Sequence, residues 1–117
     1  MTSPTQRTLK ALRKQGWVAA VVEHWNPHAF IRQDLFGIGD VLCLKPDETL
    51  LVQATGGSGN GAKRVRKLKG ECAEMTKAWL GNGCRKLQVW CWVKHKPRGT
   101  KRPKWDVRIT EIEGVEI

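Results

Sequence analysis

The stretch GGSGNGAKR at positions 56 to 64 sets glycine backbone ahead of two cations, a composition suited to holding a phosphate group. It first suggests the loop by which NTPases bind nucleotides, which needs Lys directly after the last Gly and then Ser or Thr for magnesium. Neither requirement is met: Ala62 intervenes before Lys63, and Arg64 stands where the hydroxyl should be. An NTPase is set aside. A helix start carrying Lys63, Arg64, Arg66 and Lys67 still suits a nucleic-acid phosphate, and a plain strand-to-helix turn is equally compatible with the glycines. Cys43, Cys72, Cys84 and Cys91 contain no CxxC spacing, and Pro27 keeps His24 and His28 off a shared helix face. The cysteines are expected to be free thiols, mostly buried, and no zinc site is expected.

The chain has 117 residues, with 21 Lys plus Arg against 11 Asp plus Glu and a formal charge of +10. This length suits one domain, here residues 1–117, and the excess of cations favours a polyanionic partner. The cations cluster: Lys63 to Lys69 form one group, and Lys94, Lys96, Arg98, Lys101, Arg102 and Lys104 another. A solvated face kept charged for solubility would intersperse acids among them, which these clusters do not. A hydrophobic content of 40% predicts a packed core and argues against disorder. No run is long and apolar enough to span a bilayer, and Met1 to Gln6 lacks an apolar signal core, so a cytoplasmic address and no membrane partner are expected. Of the six tryptophans most are expected in the core, with Trp105 beside the basic loop the candidate for nucleotide contact.

The elements that must position these residues follow from periodicity. Thr5 to Gln15 predicts an amphipathic helix built on Leu9 and Leu12 and ended by Gly16. Trp17 to Glu23, rich in Val and Ala, predicts a strand buried on both faces. Phe30 to Gly39 has no clear period. Asp40 to Lys45 and Thr49 to Thr55 predict a hairpin turning at Pro46-Asp47, which sets Asp40 opposite the end of the second strand. Gln53 and Thr55, two residues apart, then share a face near Asp40. Ala62 to Leu80 predicts a helix broken near Gly70. Leu87 to Lys94 predicts a half-buried strand in which Trp90 and Trp92 cover a packed helix, and Trp105 to Ile112 a last strand after the basic loop from His95 to Pro103. The fold class expected is α/β, a central mixed sheet flanked by helices.

On these residues, GIGDVLCLKPDETLLVQATGG resembles the catalytic hairpin of PD-(D/E)xK nucleases, in particular Holliday-junction-resolvase-like and VRR-NUC members. Asp40 matches the family's Asp, while Gln53 and Thr55 stand where Glu and Lys would, so QAT replaces ExK. The likeness runs from Trp17 to Val93 in order of elements and implies a restriction-endonuclease-like core of order α-β-β-β-α-β-β. It implies magnesium- or manganese-assisted phosphodiester hydrolysis, with Asp40 and Gln53 as ligands. Asp34 and Glu23 are nearby acids able to rebuild the metal site, and Lys63 a cation able to replace the missing lysine. Gln offers only a neutral carbonyl oxygen and Thr an uncharged hydroxyl, which puts catalysis in question.

The function expected is a DNA-processing endonuclease acting on duplex or branched DNA, with RNA and a homodimer as further options. The basic helix start with Arg66 and the loop holding Lys96, Arg98, Lys101 and Arg102 would bind the nucleic acid. The alternatives are a degenerate module of the same fold that binds without cleaving, and a basic protein that binds or inhibits an acidic protein.

Overall fold

The computed structural model describes residues 2–81, 85–95, 98–99 and 102–113. Helix α1 spans Pro4–Lys14: the Ser3 hydroxyl accepts the Gln6 N–H at 3.2 Å, Pro4 occupies the first turn, and Arg13 and Lys14 sit favourably in the last. Strands β1 (Val18–Val21), β2 (His24–Asn26), β3 (Ile31–Gln33), β4 (Val41–Lys45) and β5 (Glu48–Gly56) follow. Helices α2 (Asn60–Lys69) and α3 (Ala73–Leu80) are separated at Gly70, and β6 (Arg85–His95) and β7 (Lys104–Glu111) complete the order.

The main sheet is mixed and five-stranded, in the order β1-β4-β5-β6-β7, with β2 and β3 forming a separate hairpin. Only β5 and β6 are parallel, joined by the crossover through α2 and α3. The fold is therefore α/β, with helices packed against both faces of the sheet. Leu9 and Leu12 of α1 pack with Val41, Cys43, Leu50, Val52 and Trp90 on one face, where the partly buried Trp92 also sits. Leu68 of α2 packs with Leu51, Leu87, Val89, Ile38 and Ile112 on the other. Alternation along β5 thus turns Leu50, Val52 and Ala54 toward α1 and Leu51, Gln53 and Thr55 toward α2.

Two expectations are corrected. β1 is a short edge strand with only Ala19 buried, because its outer edge has no partner strand and its small side chains form a thin apolar surface. β6 is covered on both faces, since α1 reaches the face that carries Trp90 and Trp92. As expected, most of the tryptophans pack in or against the core, Trp17, Trp79, Trp90 and Trp92 among them, while Trp25 is 55% exposed on the β2–β3 hairpin. Of the cysteines, Cys43 and Cys91 are buried free thiols and Cys72 is partly buried and free, while Cys84 lies outside the described residues. Among the described residues no helix is long and apolar enough to cross a membrane.

Candidate functional site

Position 39 has to be glycine for the site to form. A Cβ there would lie 2.2 Å from Cγ of Leu51, which is fully buried, so only a bare backbone can pass over β5 at this point. Just before it, a tight loop is closed by the Leu35 N–H on the Gly39 carbonyl at 2.7 Å and by the Gly37 N–H on the Asp34 carbonyl at 3.2 Å. The loop folds Asp34 back toward Asp40. On the other side the Val22 N–H donates to the Asp40 carbonyl at 2.9 Å, which fixes Glu23 beside the same point. One carboxylate oxygen from each of Glu23, Asp34 and Asp40 can be chosen so that all lie within 4.8 Å of one another.

The hairpin register sets Val41 opposite Val52, so Asp40 enters β4 across from Gln53. Asp40 is 2% exposed. Its Oδ1 accepts the Ala54 N–H at 2.9 Å and its Oδ2 accepts the Thr5 hydroxyl of α1 at 3.0 Å. Burial is the main cause that pushes its pKa up, to about 6, with the Asp34 and Glu23 charges adding to it and the two hydrogen bonds opposing it. Glu23 is paired with Arg32 at 3.3 Å. Gln53 is 3% exposed; its side-chain amide makes no hydrogen bond among the described residues, but it is not sealed from solvent, since Gln53 lines the open cavity beside Asp40.

These groups line one cavity of about 630 Å³, together with Thr55, His24, Arg32, Arg64 and Lys67. Three crowded carboxyl groups are hard oxygen donors of the kind that can hold a magnesium or manganese ion, and the Gln53 amide lines the same cavity. Arg64 and Lys67, on one face of α2, bring positive charge to the same space. A second cavity, of about 320 Å³, adjoins it through Thr55, Arg64 and Lys67 and adds Asn60 and Lys63. It contains no acid, and its lining is the α2 face rather than residues 57–59.

The sequence candidates Asp40, Gln53, Thr55, Asp34 and Glu23 therefore converge. Lys63 faces the neighbouring cavity, so of the α2 cations Arg64 and Lys67 share the cavity of the acids, where Arg32 is also paired with Glu23. Arg66, Arg98 and Arg102 are exposed and line neither cavity, and Lys96 and Lys101 lie outside the described residues. Trp105 is 40% exposed, with the Arg7 guanidinium 4.2 Å from its ring centre and the Lys94 ammonium 6.0 Å away. Sequence reasoning missed Thr5, His24 and Arg32. The Ser3-Pro4 start of α1 was a usable signal for a helix N-terminus near Thr5, but nothing local says that this end covers the Asp40 end of the sheet.

Comparison with known proteins finds no family model that matches the chain, no similar curated protein and no similar solved structure.

Proposed function

We propose that this chain is a metal-dependent phosphodiesterase that cleaves DNA. The observation that carries the reading is the convergence of Glu23, Asp34, Asp40 and the unpartnered Gln53 in a cavity shared with Arg64 and Lys67. Asp40, Asp34, Glu23 and Gln53 are the residues that would hold the ion. A divalent cation bound there supplies Lewis acidity and a water made acidic enough to attack at neutral pH. Thr5 and the Ala54 amide orient the Asp40 carboxylate, and Arg32 holds Glu23 in place. Arg64 and Lys67 neutralise the phosphodiester and stabilise the charge that grows on it. The adjoining cavity with Asn60 and Lys63 takes a neighbouring phosphate of the same strand.

Plasmid and branched DNA incubated with magnesium or manganese test this. Wild type nicks them, chelator stops the reaction, and Asp40→Asn binds DNA at least as well but does not cut, because it removes a ligand and a charge that repels phosphate. Cutting by Asp40→Asn at the wild-type rate would contradict the assignment. The neutral side chains of Gln53 and Thr55 favour a second reading, a nuclease-like module that binds without cleaving. Salt-sensitive binding with no cleavage by wild type under any divalent ion would establish that reading instead.

A further inference from the structure

The β2–β3 hairpin, a two-stranded sheet apart from the main one, carries three exposed large apolar side chains. Phe30 is 78% exposed, Trp25 55% and Ile31 49%, all within this short element. Phe30 and Phe36 both hold φ near 54°, in the left-handed region that bulky side chains avoid. They bracket residues 31–35, the segment that brings Arg32, Gln33 and Asp34 to the acid cavity, and His24 lines that cavity from the paired strand. The apolar hairpin is thus a rim of the proposed cleavage site. Its register pairs Trp25 with Arg32, so an aromatic face and a cation share one side of it.

We infer that this hairpin is a separate binding site for unpaired nucleobases, which stack on Trp25 and Phe30 beside the phosphodiester to be cut. The charge of +10 disfavours a second copy of the chain as occupant, because like-charged molecules would have to meet across it. It favours a polyanion, and nucleic acid is the polyanion that also offers flat apolar faces to an aromatic ring. The position at the cavity rim places those bases next to the phosphate held by Arg64 and Lys67. Single-stranded or branched substrates, whose bases are free to turn outward, are therefore preferred over continuous duplex. The inference rests on the proposed phosphodiesterase reading for the identity of that phosphate, but the base contact is measured by binding alone.

The experiment compares the full chain with Trp25→Ala/Phe30→Ala, Trp25→Phe and Val18→Ala in the presence of chelator. Affinity is measured for a labelled oligothymidylate strand, a fully paired duplex of the same length and phosphatidylglycerol vesicles. The double variant loses at least about tenfold on the single strand and less than about twofold on the duplex. The salt dependence of single-strand binding keeps its slope, because stacking releases no counterions. Trp25→Phe keeps most of the affinity, and Val18→Ala, a change at a comparably exposed apolar residue on edge strand β1 of the main sheet, keeps all of it. Equal losses on strand and duplex, no loss on the strand, or a loss seen with vesicles alone would overturn the inference. So would sedimentation showing wild type as a dimer that the double variant splits. A wild type that never cleaves but shows the strand-specific loss removes the phosphodiesterase reading and keeps this one.

Discussion

At the scale of the residue, Asp40 is the group on which the site turns, and burial beside Asp34 and Glu23 makes its charge unfavourable. Its folded pKa of about 6 lies above the ordinary 3.8, so the stability it lends is complete below about pH 3.8 and is lost as pH rises through 6. A displacement of this size corresponds to roughly 3 kcal/mol. Urea unfolding without divalent ions should therefore show stability falling between about pH 4 and 7, and Asp40→Asn should flatten that fall and leave the protein more stable at pH 8. Manganese affinity should run the other way, rising with pH through 6, because the ion requires the carboxylate. Gln53→Glu adds a charged oxygen of nearly the same volume and should tighten manganese about tenfold by calorimetry. Lys67→Ala should lower kcat about 10²-fold, and Thr55→Lys in that background should restore part of it, since Thr55 opens on both cavities. A loss that Thr55→Lys leaves untouched would mean that Lys67 acts through structure and not through its charge. Asp40, Gln53 and Thr55 were legible together because a strand has period two and the Pro46-Asp47 turn sets the register. Thr5 and Arg32 were not, since their place at the site is decided by packing between distant segments.

At the scale of the element, the hairpin β4–β5 and the helix that breaks at Gly70 follow their sequence patterns closely. The segment 24–39 does not. Three-residue strands are too short to show a period, and Phe30 and Phe36 take left-handed conformations that their residue type argues against. β1 was misjudged for a different reason: a run of Val and Ala reads the same at a sheet edge as at its centre, and only the strand order tells them apart. Gly39 links the element to the site. Gly39→Ala would drive a methyl group into Leu51 and should destabilise the protein by about 1–3 kcal/mol in urea unfolding, with a matching loss of manganese affinity as Asp40 is displaced. Normal stability with normal manganese binding would show that the chain can pass over β5 without a bare backbone.

At the scale of the whole molecule, one end of a mixed sheet carries one buried and two partly buried acids, a basic helix face and a hairpin with exposed aromatic rings, the features on which the proposed nucleic-acid contact rests. The net charge of +10 predicts DNA affinity that falls steeply between low and moderate salt, whatever the sequence. The Arg64→Ala/Arg66→Ala/Lys67→Ala variant should weaken binding alike across sequences and make the salt slope shallower. A salt-independent affinity would contradict a phosphate-dominated contact. The α/β class was legible because strand-patterned and helix-patterned segments follow one another along the chain, whereas the cover on both faces of β6 and the side each helix takes became visible only with the strands in place. The most direct measurement is anomalous diffraction from crystals soaked in manganese. The expected result is a manganese peak bounded by carboxylate oxygens of Glu23, Asp34 and Asp40 and the Gln53 amide oxygen, absent from Asp40→Asn. Manganese absent from that cavity, in crystals of a protein that cleaves DNA with the same ion in solution, would contradict it.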